Sequence, residues 1–256
     1  MDIKVLNTGL LRVNTLVVPL CGNKVFVVDP AACPYSHDGD KITGYLRENG
    51  LDCYAIILTH SHFDHITGIA TLKKAYPAAK IAIHQNEAEE LMSPPGPMNQ
   101  SVLQFFGMAS LLEVVALQPP ADVLLKHGDT LSVLEDAADA STDASAPTSN
   151  ASDPSTDDSA QTSNASVPTS SDLVSALSAW KILLTPGHTP GSICLYNKKE
   201  NVLISGDTLF EDGWGRTDMY GGNEPQLMKS LRELRDKIPA GTKVYPGHES
   251  DFVMGR

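Results

Sequence analysis

The amino-acid sequence predicts a layered α/β fold in which helices pack on the outer faces of β-sheets. Short apolar runs bounded by Gly, Asn, Asp or Pro indicate strands, and amphipathic stretches indicate helices. Both kinds of element recur in each half of the chain, a pattern typical of helices layered on sheets. With 256 residues and 41% hydrophobic content, the chain is large enough to bury a substantial core.

The first half contains four predicted strands and four predicted helices. The strand runs are rich in Val, Ile, Leu, Phe and Tyr, and Gly50 and Pro77 end two of the helices. A Pro-Pro-Gly-Pro run separates the last two helices. The predicted strands cover residues 11–18, 24–28, 54–58 and 80–84, and the predicted helices cover residues 42–49, 65–76, 86–92 and 99–113.

The second half contains six predicted strands and one amphipathic helix. The helix is predicted at residues 225–237, where apolar side chains recur at helical spacing, as Leu227, Leu231 and Leu234 illustrate. The predicted strands cover residues 123–126, 131–134, 181–184, 193–197, 202–205 and 242–245.

Residues 137–171 differ in composition from the rest of the chain. They are almost entirely Ala, Ser, Thr, Asp, Asn and Pro, and the run Thr-Ser-Asn-Ala-Ser at 148–152 recurs at 162–166. Such a segment cannot bury enough apolar surface to offset its ordering entropy, so we predict that it is disordered. Because it lies between two predicted strands, we interpret it as an enlarged hairpin turn. The chain is therefore predicted to be one domain over residues 1–256, interrupted by this insertion.

The composition and charge of the chain argue against some classes of binding partner. The net charge is −12 and no basic stripe is present, which argues against a nucleic-acid partner. No stretch approaches the roughly 20 apolar residues that a membrane helix needs, and the N-terminus lacks the features of a signal peptide. The four cysteines are scattered and form no C-x-x-C pair. We therefore expect a cytoplasmic protein, without a membrane partner, that acts on a small molecule.

The first candidate site follows the apolar run at residues 55–58. Residues 59–65 read Thr-His-Ser-His-Phe-Asp-His, so His60, His62, Asp64 and His65 lie within six positions. A single histidine is usually a packing residue, but this density is hard to explain by packing. Imidazole and carboxylate groups are the natural ligands of zinc and related divalent ions. The run therefore predicts a metal site.

Three further candidate ligands each stand in a turn just after a predicted strand. His188 lies in the run Pro-Gly-His-Thr-Pro-Gly, Asp207 in Gly-Asp-Thr-Leu-Phe, and His248 in Pro-Gly-His. A glycine precedes each of them and allows the backbone to approach a site closely. Together with the first cluster, these residues are enough for two metal ions.

The ordered motifs H-x-H-x-D-H, P-G-H-T-P-G, G-D-T-L-F and P-G-H resemble the metallo-β-lactamase superfamily, and more narrowly its glyoxalase II (hydroxyacylglutathione hydrolase)-like members. The resemblance implies a four-layer αββα sandwich with a dinuclear site along one edge of the sheets. It also implies the ligands: His60, His62 and His188 for the first metal, Asp64, His65 and His248 for the second, and Asp207 as the bridge. Asp64 would in addition orient the attacking hydroxide.

The resemblance further implies the chemistry. Two divalent ions, zinc or alternatively iron or manganese, would share a hydroxide that cleaves a thioester or ester, as in hydroxyacylglutathione hydrolysis. Arg216 is a candidate for pairing with a substrate carboxylate, with an ordinary exposed arginine as the alternative. The chain ends eight residues after His248, so it is similar to shorter relatives without the C-terminal helical domain of glyoxalase II proper.

Other activities of the same fold remain open. A persulfide dioxygenase-like oxidoreductase with a single iron is one alternative, although those proteins usually carry a small residue at the position of Phe63. A lactonase is another. A nuclease would need a basic surface, and a binding module without catalysis would be expected to lack ligands that are present here.

Overall fold

The computed structural model describes residues 1–139 and 168–255. The N-terminal half forms a sheet of six strands: β1 (Lys4–Thr8), β2 (Val13–Pro19), β3 (Lys24–Val28), β4 (Asp52–Ile57), β5 (Lys80–His84) and β6 (Val123–Leu125). These strands lie in chain order across the sheet. The pairs from β1 to β3 are antiparallel, and the pairs from β3 to β6 are parallel.

The C-terminal half forms a second sheet and a small hairpin: β7 (Trp180–Leu184), β8 (Ile193–Asn197), β9 (Val202–Gly206), β10 (Leu209–Phe210), β11 (Gly213–Trp214), β12 (Lys243–Pro246) and β13 (Phe252–Val253). The order across the sheet is β13-β12-β9-β8-β7, and β10 pairs with β11. Because β8 is antiparallel to β7 and β9, and β12 is parallel to β9, the strands β7, β9 and β12 run in one direction. Their carboxyl ends therefore meet at the same edge.

The described residues also form eight α-helices: α1 (Lys41–Glu48), α2 (Phe63–Ile66), α3 (Ile69–Ala75), α4 (Pro97–Phe105), α5 (Leu112–Ala116), α6 (Val133–Asp139), α7 (Ser170–Ser178) and α8 (Glu224–Lys237). Three short 3-10 helices cover Pro34–Ser36, Gln85–Leu91 and Ala109–Leu111. Within the described ranges, no helix combines the length and apolar character needed to cross a bilayer.

The two sheets pack face to face around a shared apolar core. Phe26 of β3 and Trp180 of β7 meet edge to face with ring centroids 5.3 Å apart, and both side chains are fully buried. Leu16, Ile57 and Ile204 belong to the same cluster, so side chains from both sheets fill it. Burial of such aromatic and aliphatic groups contributes about 2 kcal/mol for each side chain and holds the two sheets together.

The outer face of each sheet is covered by helices. Val27 of β3 belongs to an apolar cluster with Leu46 of α1 and residues of α3 and α4. Leu203 of β9 belongs to a smaller cluster with Leu234 of α8. The layers thus run helix, sheet, sheet, helix, which confirms the αββα sandwich expected from the sequence.

The predicted strand at residues 131–134 is wrong, because α6 begins at Val133. Leu131 and Leu134 are both fully buried, and their spacing of three residues suits one face of a helical turn better than a strand. The insertion itself joins α6 to α7 and not one strand to another. The hairpin interpretation holds one step further out, because the segments that flank these two helices pair in antiparallel fashion through the bridge between Thr130 and Lys181.

The edges of the predicted disordered segment are helical. Residues 137–139 end α6, and residues 170–171 begin α7. A capping box explains where α7 starts: the hydroxyl of Thr169 accepts from the backbone of Asp172, whose carboxylate accepts from the backbone of Thr169. Residues 140–167 of the segment lie outside the described residues, so their disorder stays a prediction.

Candidate metal centre

The run from His60 to His65 leaves the carboxyl end of β4 and enters α2. Its histidines are buried, with His60 and His65 at 0% exposure and His62 at 6%. The rings of His60 and His62 lie edge to face with centroids 4.8 Å apart. Three imidazoles thus converge in one small volume, where ordinary packing would favour apolar side chains.

The second sheet brings three more side chains to the same place. His188 follows β7, Asp207 follows β9 and His248 follows β12, at the edge where these strands end. The ring of His188 lies 4.6 Å from that of His62, and the ring of His248 lies 5.3 Å from that of His65. The site is therefore built between the two sheets, at one end of the sandwich.

The predicted ligands form two trios that share one carboxylate. In the first trio (His60, His62 and His188) and in the second trio (Asp64, His65 and His248), the ligand atoms lie within 4.8 Å of one another. Asp207 stands between them: one of its oxygens lies 3.6 Å from His65 Nε2, and the other lies 3.7 Å from His188 Nε2 and 3.6 Å from His248 Nε2.

Several of these atoms have no protein partner within the described ranges. Buried Nε2 atoms of His60, His62 and His65 and Oδ1 of Asp207 accept or donate no hydrogen bond there. Leaving a buried polar atom unsatisfied costs about 1–3 kcal/mol, so a cluster of four is not expected without a ligand. Divalent cations would accept lone pairs from Nε2 of His60 and His65 and from Oδ1 of Asp207, and at His62 the nitrogen that faces His188 is Nδ1. The donor set, imidazole and carboxylate, fits zinc, iron or manganese.

His188 and His60 each form a hydrogen bond through Nδ1, on the side of the ring that faces away from the site. These contacts orient the Nε2 atoms of the two rings toward the site. His188 Nδ1 donates to the carbonyl of Arg216 at 2.7 Å. His60 Nδ1 lies 3.0 Å from the hydroxyl of Thr59, which donates its one proton to Asp29 at 2.6 Å and so accepts from the imidazole. Such outer contacts fix the tautomer and aim Nε2 at the metal.

Asp29 is a functional residue that the sequence analysis missed. It stands directly after β3 and accepts from the backbone of Thr59 at 2.8 Å and from His65 Nδ1 at 2.9 Å. Because it binds the side of His65 that faces away from the centre, we assign it to orientation of the ring and not to metal ligation. An acidic residue at the end of a buried strand was the available signal, but a lone Asp before Pro30 reads as a turn.

The pKa values of His60 and His62 in the first trio are shifted in the opposite direction to those of His65 and His248 in the second. Burial lowers the pKa of His62 to about 3, and burial together with the neighbouring His65 and His62 lowers that of His60 well below its ordinary value. At His65 burial acts in the same direction, but Asp207, Asp64 and Asp29 together outweigh it and raise the pKa well above the ordinary value. At His248 burial is likewise outweighed, chiefly by the hydrogen bond to Asp64, and the pKa is raised.

Metal uptake by the two trios should therefore respond differently to pH. A raised pKa means that His65 and His248 hold protons that a metal must displace, and this competition grows as pH falls. A lowered pKa leaves His60 and His62 without a proton to displace. We therefore expect calorimetric titrations with Zn²⁺, carried out from about pH 8 down to about pH 6, to show that affinity is lost first at the second trio. Parallel loss of both equivalents would contradict this assignment.

A pocket of about 380 Å³ opens over the two trios. Its floor includes His62, Asp64 and Asp207, and its walls are largely apolar. The apolar lining comes from Leu11, Phe63, Val102, Phe106, Phe210 and Met219. A volume at the lower end of the range for ligand pockets suits a small molecule. A larger depression of about 860 Å³ lies beside α1 and is lined by none of the predicted ligands.

Arg216 lies at this pocket, as the sequence analysis expected of a substrate-binding residue. Its Nε and Nη2 donate to the two oxygens of Asp218 at 2.7 and 2.8 Å. The guanidinium also stacks over the rings of Phe105 and Phe106, 5.5 and 5.7 Å from their centroids. Two of its donor atoms are therefore engaged, and the pairing with a substrate carboxylate stays a prediction.

The chain is similar in sequence and in fold to several named proteins. The chain is 31% identical over 242 residues to the probable metallo-hydrolase YqgX of Bacillus subtilis (strain 168), covering 93% of this chain and 90% of that protein. It is 26% identical over 228 residues to a hydroxyacylglutathione hydrolase of Bdellovibrio bacteriovorus, covering 88% of this chain but 59% of that protein. The crystal structure of TTHA1623 in a di-iron-bound form has a similar fold, with a TM-score of 0.67 at 23% identity over 98% of this chain and 94% of that one.

A family model settles the membership. The model described as the metallo-beta-lactamase superfamily matches residues 8–149 and 173–248, a span that contains all seven predicted ligands. Taken with the αββα sandwich and the two trios at its edge, this match shows that the chain belongs to the metallo-beta-lactamase superfamily.

Proposed function

We propose that this protein is a metal-dependent hydrolase that cleaves a thioester or ester bond of a small molecule at a two-metal centre. The observation that carries the proposal is the position of Asp207, whose oxygens lie 3.6–3.7 Å from nitrogens of both trios. A carboxylate shared in this way is suited to bridging two cations. When bound, two divalent ions would lower the pKa of water and polarise the scissile carbonyl.

The chain's own residues have distinct tasks in this proposal. The first trio would hold one ion, the second trio would hold the other, and Asp207 would contact both. Asp64 lines the pocket, and its Oδ2 lies 3.3 Å from His248 Nε2. In this proposal Asp64 binds metal and also orients the attacking water as a hydrogen-bond acceptor. Zinc is the proposed metal, and iron or manganese would accept the same donors.

For the substrate we propose a hydroxyacylglutathione-type thioester. A relative that is 26% identical carries the name hydroxyacylglutathione hydrolase. The pocket adds two features that fit: an apolar wall for an acyl group, and Arg216 as a cation for a carboxylate. Other esters and lactones share the reacting carbonyl and belong in the same assay panel.

The test combines metal content with two activities. Purified protein should contain two metal ions per chain and hydrolyse a hydroxyacylglutathione thioester, with release of thiol. The panel includes an ester, a lactone and, as an oxidative substrate, glutathione persulfide with oxygen uptake recorded. One iron per chain with oxygen consumption and no thioester cleavage would instead support the persulfide-oxidising alternative and overturn the proposal.

The role of Arg216 can be tested through its partner Asp218. Replacing Asp218 by asparagine should free the guanidinium fork and raise kcat/KM for thioesters that carry a carboxylate. The ion pair is exposed and therefore weak, so we expect a rise of only about threefold. A neutral ester should show no change, and Asp212→Asn, at an exposed position nearby, is the matched control. Equal effects on charged and neutral substrates would argue against a contact between Arg216 and the substrate.

A further inference from the structure

A buried polar network supports the loop that carries His60 and His62. Its members are Glu87 and Glu90 in the 3-10 helix Gln85–Leu91, and Asn99 in α4. Glu87 and Asn99 are fully buried, and Glu90 is 7% exposed. None of the three is among the residues that line the pocket over the metal centre. Two carboxylates in a protein interior are costly, so their retention calls for an explanation.

Glu87 joins two loops that are far apart in the sequence. Its Oε2 accepts from the backbone of Ser61 at 3.0 Å and also from the Ser61 hydroxyl. Its Oε1 accepts from the backbone of Gly191 at 2.7 Å. Ser61 stands between His60 and His62, and Gly191 stands three residues after His188. One carboxylate therefore spans both loops that supply the first trio.

Asn99 and Glu90 also hold Ser61 in place, Asn99 by a direct hydrogen bond and Glu90 through Asn99. Asn99 Nδ2 donates to the Ser61 carbonyl at 2.8 Å, and Glu90 in turn accepts from the backbone of Asn99 at 3.0 Å. Glu90 also accepts from the backbone of Met98 at 2.9 Å. The backbone N–H, the carbonyl and the hydroxyl of Ser61 are thus all bonded to this network. The peptide that links His60 to His62 has little freedom to rotate.

We propose that Glu87 is a positioning residue for metal binding: by bridging Ser61 and Gly191, it fixes the distance between His62 and His188. In the structure His62 Nδ1 and His188 Nε2 face each other at 2.9 Å. With a nitrogen of His60 they form a group of ligand atoms within 4.8 Å of one another, so a shared cation would depend on their separation, and a loop movement of about 1 Å would change it. This inference rests on the proposed function of the first trio as a metal site.

The geometry predicts what a neutral isostere would do. A glutamine at position 87 has one carbonyl oxygen and one amide group, so it can accept on one side only. On the other side its N–H groups would face the N–H of Ser61 or Gly191. The side-chain volume is retained, and one of the two bridges is lost. Outer contacts of metal ligands typically contribute 10–100-fold to affinity, so we expect a loss of about that size in the first trio.

The experiment compares the two metal sites within one protein. Co²⁺ titration of the wild type and of Glu87→Gln, followed by absorption spectroscopy and by competition with a chelator, gives two dissociation constants for each protein. We expect Glu87→Gln to weaken the first site about 10–100-fold, to shift its absorption bands, and to leave the second site unchanged. Glu89→Gln is the matched control, since Glu89 is an exposed neighbour in the same 3-10 helix. Melting of the metal-free proteins separates this effect from general destabilisation.

A milder variant keeps the test decisive if Glu87→Gln does not fold. Ser61→Ala removes one bond to Glu87 and leaves the backbone bonds in place, so it should weaken the first site by a smaller factor. Wild-type affinity at the first site in the folded variants, or an equal loss at both sites, would overturn the positioning role. A wild-type protein that binds no Co²⁺ would overturn the proposed metal centre itself, so the two failures are distinguishable.

Discussion

Replacing Asp207 by alanine should reduce the metal content from two ions to about one per chain and lower turnover about a thousandfold. The carboxylate lies within 3.6–3.7 Å of nitrogens from both trios. Loss of one cation from the reaction centre removes charge stabilisation of about 4 kcal/mol, which corresponds to that change in rate. Metal analysis and thioester kinetics on the same preparation measure both effects.

Asp207→Ala should also change the pKa of His65 in the metal-free protein. In the wild type burial lowers the pKa of His65, but Asp207 together with Asp64 and Asp29 outweighs it and raises the pKa. Without Asp207, His65 should release its proton more readily, which a histidine titration followed by NMR would detect. Asp212→Ala, in the exposed turn between β10 and β11, should leave metal content and turnover unchanged. An Asp207→Ala protein with two tightly bound ions and near-normal turnover would refute the bridging role.

Gly247→Ala should lower turnover about a hundredfold by steric means alone. A methyl group at this position would overlap Oδ1 of Asp207 and come within 2.8 Å of Cε1 of His65. The backbone has little room to move away: the Gly247 N–H donates to Gly206 at 2.9 Å, and its carbonyl accepts from Asn14 at 2.7 Å. The ligands must therefore shift, and a misplacement of about 1 Å in a reaction centre can cost that factor.

The same substitution should cost about 2 kcal/mol of unfolding free energy, the usual size of an overpacking penalty. Gly213→Ala is the control, because an added methyl there would meet no described atom within 4 Å. Kinetics and thermal unfolding of the two variants side by side separate the effects. Wild-type turnover in Gly247→Ala would mean that Asp207 and His65 do not need their observed positions for catalysis.

The sequence was informative about the proposed metal centre because most of the predicted ligands stand in dense or repeated patterns. His60 to His65 form a cluster, and His188, Asp207 and His248 each follow a glycine after a predicted strand. Strands predicted at 24–28, 80–84 and 193–197 are confirmed residue for residue. Short runs rich in Val, Ile and Phe that are bounded by turn residues are typical of strands.

Residues that orient the predicted ligands, without being ligands themselves, are not marked by a dense or repeated pattern in the sequence. Asp29 and Glu87 are single acids whose neighbours in the sequence are unremarkable, and their partners Thr59, Ser61 and Gly191 lie 26 to 104 positions away. Only the folded arrangement brings them together. The strand predicted at 131–134 was wrong because four residues are too few to separate a two-residue period from a helical turn.

The predicted ligands come from both sheets, which has a consequence for the folding of the protein. The six-stranded sheet and its following loops supply His60, His62, Asp64 and His65, while the other sheet supplies His188, Asp207 and His248. Neither half can complete either site, so tight metal binding requires that both halves have already docked. Ions at a hundredfold excess over their dissociation constant would stabilise that docked state by about 2.7 kcal/mol. Tight metal binding would then be restricted to chains in which both halves have folded and docked.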